Sequence, residues 1–480
     1  MGPSARWFVV PALSLVLVVG GGCVSGSGNA PVARDTPPVL PAEQAGGPLY
    51  GVMWQEQTTT SYLSRLEPRT LRPIAGGGRV SVHRLAAWTI SPDRTVAVFG
   101  DGDNGEVAPD QANVYVMDLR RMRQAAVIKT KAATGVPRGA LWLGSDRVLL
   151  LGDKANYESV ERGGVTSIVS RPALVATIVD LTARRVVAQR TYVSDDETVA
   201  VEPSRGGLVA LFYPAERIGT ARLGLIDTKG RLRVVPLDRV TAGFQRAAGG
   251  GDVGSRQNIP GLAVDATGGR AYVAASGSPV ADVGLADLRV AYHPLRKPGH
   301  RPSVLGLVRE AFAPAAAEAK LQSGPERHAL WLGDGRLAVW GTDADYKGTD
   351  GDPTGESRPS GLQVIDTRDW SVRTLDPGIG QVVRAGDRLV TAGVTTHMAS
   401  ADSPTTGDGL WIRTPGPSRP VHLLAGRPVQ WFQTYGPYAY VDISDPNGGS
   451  GQTPGYAVID TRTGTVVGEH RGDPMPDFFD

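Results

Sequence analysis

The stretch YAVIDTRTGTVVGEH, residues 456–470, contains two short runs of alternating apolar residues joined by a turn that begins at Asp460. Alternation with a period of two is typical of a half-buried β-strand, and a tight turn between two such runs indicates a hairpin. An aspartate carboxylate accepts hydrogen bonds from the backbone N–H groups that follow it and so starts such turns. The stretch therefore predicts a β-hairpin in which Asp460 has a structural role.

The same pattern recurs along the chain at intervals of roughly 50 residues, a period typical of repeat architectures. A second hairpin precedes each copy, as in ALWLGSDRVLLLGD (140–153) and ALWLGDGRLAVWGTD (329–343). Each unit therefore has four strands. Two of the eight copies are degenerate, those at Glu67 and Thr414, and the other markers are Asp118, Asp180, Asp227, Asp287, Asp366 and Asp460.

Repetition of four-stranded units near this period predicts an all-β fold, a β-propeller of four-stranded antiparallel blades. The copies predict eight blades in a single domain over residues 49–480, with seven as the alternative because two copies are weak. The first unit, which begins at LYGVMW (49–54), lacks a first strand. We expect the tail PMPDFF (474–479) to supply that strand, which would lock the ring and leave no open edge.

Two family resemblances agree with this architecture. VIDTRTGTVV (458–467) resembles the YVTN and quinoprotein-type propeller repeats, and SPDRTVAVF (91–99) resembles the repeats of TolB-like and WD40-like propellers. The resemblance covers roughly residues 49–479 and implies a propeller, a fold shared by scaffolds, sensors and enzymes. A quinoprotein also implies calcium ligands and, in many members, paired cysteines, whereas Cys23 is the single cysteine of this chain.

The first 48 residues predict export and anchoring. Residues 1–23 carry Arg6, an apolar run of 13 residues and three glycines before Cys23, as a signal peptide does. VVGGGC resembles the lipobox of bacterial lipoproteins and implies lipidation of Cys23; ordinary signal cleavage and an unprocessed segment are the alternatives. Residues 24–48 predict a Pro/Gly/Ser-rich tether. The expected location is the cell envelope, on a membrane surface outside the cytoplasm.

Strand order gives the predicted ring two unlike sides. We number the strands of a blade one to four from the channel outward. The turns one-to-two and three-to-four lie on one side, here called the short-turn side, and they are short. The other connections lie on the insertion side, where we expect binding because long loops on a rigid scaffold commonly carry function. All large insertions fall there: 101–112, 153–173, 238–260, 296–327, 342–361, 394–409 and 444–455.

Several charged groups in these insertions are candidate binding residues. Asp350, Asp352, Thr354 and Glu356 have the oxygen spacing with which a calcium loop begins, but Gly361 occupies the twelfth position, where a bidentate acid is expected. Solvated loops are the alternative, and no other cofactor is predicted. The remaining candidates are acidic positions of the insertions and a basic patch that would suit an anionic partner: Asp101, Asp103, Asp343, Asp345, His293, Arg296, Lys297 and His300.

Composition and motifs narrow the function without naming it. With 50 basic and 48 acidic residues, the chain carries a formal charge of +2 and no nucleic-acid-binding stripe. No nucleophile elbow, zinc-protease motif or phosphate loop occurs. The leading hypothesis is a monomeric binding or scaffolding module for a protein or glycan partner. The alternative is an enzyme with its site at the channel mouth, quinoprotein-dehydrogenase-like or a hydrolase.

Overall fold

The computed structural model describes most of the chain after the leader. It covers residues 38–39, 47–55, 60–101, 112–130, 134–162, 165–245, 256–295, 321–349, 352–398, 405–415, 419–429, 431–444, 454–472 and 474–478. These residues form β-sheets arranged as blades around a central channel. Among these residues, the strand pairings are antiparallel except for one parallel pairing, between β17 (Arg256–Asn258) and β22 (Leu321–Gly333). Within these ranges, no helix has the length and hydropathy that crossing a membrane requires.

The strands follow the predicted order, each blade beginning at the channel. Blade 1 contains β35 (Asp477–Phe478), β2 (Leu49–Gln55), β3 (Thr60–Leu66) and β4 (Arg79–Ser81). Blade 2 contains β5 (Leu85–Ile90), β6 (Val96–Asp101), β7 (Asn113–Asp118) and β8 (Arg123–Lys129). Blade 3 contains β9 (Val136–Leu143), β10 (Arg147–Arg162), β11 (Val165–Asp180) and β12 (Arg185–Val193). Blade 4 contains β13 (Asp196–Ser204), β14 (Gly207–Pro214), β15 (Ile218–Asp227) and β16 (Leu232–Gln245).

The second half of the ring repeats this plan. Blade 5 contains β18 (Gly261–Asp265), β19 (Arg270–Ala274), β20 (Val280–Gly284) and β21 (Val290–His293). Blade 6 contains β22 (Leu321–Gly333), β23 (Arg336–Thr349), β25 (Leu362–Asp366) and β26 (Ser371–Asp376). Blade 7 contains β27 (Gln381–Ala385), β28 (Arg388–Met398), β29 (Thr405–Arg413) and β30 (Val421–Leu423). Blade 8 contains β31 (Phe432–Tyr435), β32 (Tyr438–Asp442), β33 (Gly455–Asp460) and β34 (Thr465–Arg471).

A buried apolar cluster lies between each blade and the next. Leu211 of blade 4, for example, packs with Val273 of blade 5, and Trp142 of blade 3 packs with Val98 of blade 2. The last cluster joins Leu49 of blade 1 to Tyr440 of blade 8. Among the described residues, every one of the eight junctions therefore has its own core, so the prediction of eight blades is confirmed and the alternative of seven is wrong.

The two ends of the chain close the ring. Strand β35 pairs antiparallel with β2, with Gly51 opposite Phe478 and Val52 opposite Asp477. Met475 packs against the cluster between blades 8 and 1. The C-terminal tail thus supplies the missing innermost strand of blade 1, as the sequence predicts, and it covers the edge of β2.

The marker aspartates have the structural role that the repeat predicts. Asp460 Oδ1 accepts a hydrogen bond from the backbone N–H of Arg462 at 3.0 Å. Asp118, Asp180, Asp227, Asp287 and Asp366 accept equivalent bonds from the residues two or three positions after them. The first copy differs from the expected hairpin: after Glu67 the chain turns back through an isolated bridge between Leu66 and Pro73, and the outer strand is β4.

Three insertions expected as loops are largely strand. β10 and β11 pair continuously out to Arg162 and Val165, and β23 pairs with an added strand, β24 (Asp352–Pro359). β24 also pairs with β28, whose own extension pairs with β29. The glycines and acidic residues of these segments indicated loops, but antiparallel pairing satisfies their backbone groups without a buried face. The insertion side therefore carries projecting hairpins.

A short strand from the N-terminal segment enters the ring from the short-turn side. β1 (Pro38–Val39) pairs with the end of β9, with Pro38 opposite Leu143. Leu143 directly precedes the turn between β9 and β10, which lies on the short-turn side. Farther along, Tyr435 Oη donates to Gly47 O at 2.8 Å and Arg94 Nε donates to Pro48 O at 2.7 Å. Residues 38–39 and 47–48 therefore both contact the ring on its short-turn side.

Candidate functional site at the channel mouth

Strand direction places several charged residues at the mouth of the channel on the insertion side. The innermost strand of a blade starts on that side, and the second strand ends there. Arg138 and Glu197 lie near the starts of β9 and β13, and Tyr213 lies near the end of β14. We call these residues and their partners the mouth cluster. Its other members are Asp153, Asp196, Thr198 and Arg222 of blades 3 and 4, and Glu326, Arg327, His328 and Asp343 of blade 6.

The part of the mouth cluster between blades 3 and 4 is an ordered network. Arg138 Nε lies 2.6 Å from Asp153 Oδ2, and Thr198 Oγ1 donates to Asp153 Oδ1 at 2.9 Å. Burial raises the pKa of Asp153, although Arg138 acts in the opposite direction. Both carboxylate oxygens of Asp153 are thus engaged, which fixes the arginine in place.

Two more acidic residues of blade 4 are paired across their own sheet. Asp196 is 8% exposed and its Oδ2 lies 3.0 Å from Arg222 Nη1. Burial raises the pKa of Asp196 despite that arginine. Tyr213 Oη donates to Glu197 Oε2 at 2.7 Å, and burial together with the charge of Glu197 raises the pKa of the phenol. These groups are therefore oriented by their partners.

Blade 6 contributes a second part of the mouth cluster. His328 Nε2 lies 3.3 Å from Glu326 Oε1, and the hydrogen bond between them lowers the pKa of Glu326. Arg327 donates to Thr342 O at 2.9 Å and to Asp343 Oδ1 at 2.7 Å. The charge of Glu326 also contributes to the raised pKa of Tyr213 in blade 4.

The structure places the predicted binding residues in different surroundings. Asp101, where the first insertion begins, accepts hydrogen bonds from Asn113 N at 2.6 Å and from Tyr115 Oη at 2.8 Å. Asp343 belongs to the mouth cluster, and Asp345 lies two residues farther along β23. Four of the predicted residues lie outside the described ranges, namely Asp103, Arg296, Lys297 and His300.

His293 lies away from the mouth, between blades 5 and 6. Its ring stacks on Trp370 with 3.8 Å between centroids, and its Nε2 lies 3.8 Å from Asp282 Oδ2. Burial lowers the pKa of His293, while Asp282 opposes that shift. The structure does not bring His293 together with the predicted aspartates of the mouth.

The calcium candidates occupy an extended hairpin. Asp352, Thr354 and Glu356 lie on β24, and Asp350 and Cys23 lie outside the described residues. Arg358 donates a hydrogen bond to Glu356. Among the residues that the structure describes, no group of three or more acidic, histidine or cysteine side chains has the geometry of a metal site. The calcium loop remains a prediction.

Sequence reasoning missed two carboxyl groups of the channel wall. Glu202 lies on β13 and Asp477 on β35, the innermost strands of blades 4 and 1, and both residues are exposed. The protein that surrounds them nevertheless raises their pKa values, that of Glu202 to about 7. Because both residues are exposed and lie on innermost strands, we assign their side chains to the wall of the channel. The available signal was TVAVEPS (198–204), where one carboxyl interrupts an apolar strand.

Replacing Glu202 by Gln is expected to change the pH dependence of stability. The surrounding protein disfavours the carboxylate, so Glu202 contributes stability that is fully present below the ordinary pKa of 4.5 and is lost as the pH rises through about 7. The variant should therefore melt above the wild type at pH 8, by roughly 1 °C for a chain of this length. The difference should shrink toward pH 5.

Thermal melts between pH 5 and pH 8 measure this effect. Glu216→Gln, in the turn between β14 and β15, is the matched control and should show no such trend. A constant difference between Glu202→Gln and wild type across this range would show that the carboxyl does not titrate there.

Comparisons with known proteins assign no family to this chain. No family model matches the chain, and no curated protein matches it. Among solved structures, it is similar to dihydro-heme d1 dehydrogenase NirN in complex with DHE, with 14% identity, a TM-score of 0.46, and coverage of 94% of this chain and 78% of that chain. It is also similar to the β-propeller domain of the Trilobed protease from Pyrococcus furiosus, with 10% identity, a TM-score of 0.38, and coverage of 90% and 96%.

Proposed function

We propose that this chain is an exported, lipid-anchored β-propeller that binds a protein or glycan partner through its insertion side. In this proposal Cys23 carries the lipid, residues 24–48 tether the ring to a membrane of the cell envelope, and the propeller acts as a monomer. Binding or scaffolding, rather than turnover, is its role.

The observation that carries the proposal is the pairing of charged side chains within the mouth cluster. Its charged side chains are held by one another: Asp153 by Arg138, Asp196 by Arg222, and Glu326 by His328. Fixed donors and acceptors lose little side-chain entropy when a partner binds, which favours recognition. The projecting hairpins beside them add backbone edges that a partner can contact.

The path of the chain supports this orientation. β1 and the contacts of Gly47 and Pro48 lie on the short-turn side. With a lipid on Cys23, the short-turn side faces the membrane and the insertion side faces away from it. The surface proposed for binding is then the one presented to partners at a distance from the membrane.

Site-specific photo-crosslinking in the source cells tests the proposal. We place a photoreactive phenylalanine at His328 or Asp343 in the mouth cluster, where the side chains are 51% and 56% exposed. The controls are Asp334 and Arg289 in short turns, where the side chains are 90% and 89% exposed. We expect one adduct of the same mass from both mouth positions and none from the controls. Adducts from the short-turn positions alone would contradict the proposal.

Glu202 favours a second candidate, an enzyme with its site in the channel. A carboxyl group with a pKa of about 7 suits general acid–base catalysis near neutral pH. A hydrolase and dehydrogenase screen of the purified protein tests this candidate. Turnover that Glu202→Gln abolishes and Glu216→Gln retains would support it, and absence of turnover across the screen would count against it.

A further inference from the structure

A cleft lies on the short-turn side, opposite the mouth cluster, between blades 4 and 5. Its volume is about 810 Å³, within the range of small-molecule sites. Leu225 and Leu285 form a buried apolar floor, and Leu232 adds a half-buried wall. The cleft therefore offers an apolar surface that one small molecule can cover.

Arginines dominate the polar rim of this cleft. Arg205, Arg231 and Arg233 line it together with a single carboxylate, Asp227. Asp227 is already engaged, because its Oδ2 lies 2.8 Å from Arg231 Nε and its Oδ1 accepts from Arg231 N at 2.8 Å. Two positive charges are left without a carboxylate partner within the cleft.

The remaining two arginines have few protein contacts. Among the described residues, the Arg233 guanidinium reaches only the carbonyl oxygens of Leu285 and Ala286, each at 3.4 Å, which is long for a guanidinium hydrogen bond. Arg205 is exposed and forms no hydrogen bond or ion pair with any residue in the described ranges. Their donors are available to a ligand.

The arginines of blade 4 are placed differently from those at the same turns of blades 3 and 6. In blades 3 and 6 an arginine, Arg147 or Arg336, stands opposite the marker aspartate. In blade 4 Gly207 takes that position opposite Asp227. The turn arginine, Arg205, comes two residues earlier, and Asp227 pairs with Arg231 of its own hairpin instead. Arg205 is therefore left beside the cleft without the marker aspartate of its own blade as a partner.

We propose that this cleft binds a small organic anion in which an acidic group is joined to an apolar body. The acidic group lies between Arg205 and Arg233, where guanidinium donors suit a carboxylate, sulfonate or phosphate. The apolar body covers Leu225 and Leu285. This site is independent of the partner surface at the mouth.

Fluorescence titration with 8-anilinonaphthalene-1-sulfonate tests the site, since this dye joins a sulfonate to an apolar ring system. Its uncharged analogue N-phenyl-1-naphthylamine is the ligand control. We expect the Kd for the sulfonate to rise about tenfold or more in Arg205→Ala/Arg233→Ala, because two charge-assisted hydrogen bonds are lost. The uncharged dye should bind both proteins equally.

The protein control is Arg120→Ala/Arg121→Ala, two exposed arginines in a short turn of blade 2, which should bind the sulfonate as wild type does. Equal melting temperatures of all three proteins show that the fold is unchanged. No sulfonate binding by wild type, or equal binding by all variants, overturns the proposal. Flotation with phosphatidylglycerol vesicles identifies the source: flotation that depends on Arg205 and Arg233 assigns a membrane headgroup, and its absence a soluble anion.

Discussion

Deleting residues 474–480 is expected to lower the melting temperature by roughly 5 °C, since each kcal/mol corresponds to about 1 °C in a chain of this length. The deletion removes β35 from its pairing with Gly51 and Val52, and it removes Met475 from the cluster between blades 8 and 1. Lost ladder hydrogen bonds and lost apolar burial together account for about 5 kcal/mol. Differential scanning calorimetry measures the shift.

A shorter deletion provides the control. Removing only residues 479–480 leaves β35 and Met475 in place and should leave the melting temperature within about 1 °C of wild type. A wild-type melting curve for the longer deletion would mean that the tail does not hold the ring together.

Gly207→Ala is expected to cause a large loss of folding stability for a single substitution. Gly207 has φ 140°, and a Cβ atom at this position would lie 1.9 Å from Ile226 O. Because that oxygen belongs to the neighbouring strand backbone, the hairpin must shift to make room. We expect a loss of about 3 kcal/mol or more in the free energy of unfolding, measured by chemical denaturation.

Gly386→Ala is the matched control for this substitution. Gly386 also has a positive φ, of 59°, in the equivalent turn of blade 7, but a Cβ there would meet nothing within 4 Å. It should cost only about 1 kcal/mol for the left-handed conformation. Equal losses for the two variants would mean that the close approach to Ile226 is not what requires glycine.

The repeat made it possible to predict the ring from the sequence. Segments that do not follow the repeat could not be predicted in the same way. The alternation of apolar and polar residues around Asp460 and its copies is a local pattern. It was therefore sufficient to predict the hairpins, the order of the blades and the closing tail. The projecting hairpins were not, because residues 153–173 and 342–361 pair through their backbones and carry no apolar period. Strand and loop look alike in such polar segments.

The mouth cluster was hidden for a different reason. Its members are far apart in sequence: Thr198, for example, bonds to Asp153, a residue 45 positions earlier in the chain. Only the curvature of the ring brings such residues together, so no spacing in the sequence marks them. The anion cleft was likewise invisible, because its lining comes from turns of two blades, with Arg205 and Arg233 in blade 4 and Leu285 in blade 5.

A cross-strand disulfide tests the closed eight-blade ring most directly, and the assignment of the two sides depends on that ring. The protein is made without its first 23 residues, which removes its single cysteine, and carries Val52→Cys and Asp477→Cys, two positions directly opposite in the β2–β35 pair. We expect mild oxidation to join them, with the two peptides recovered as one species by mass spectrometry. Two free thiols in the folded, oxidised protein would contradict the closed ring.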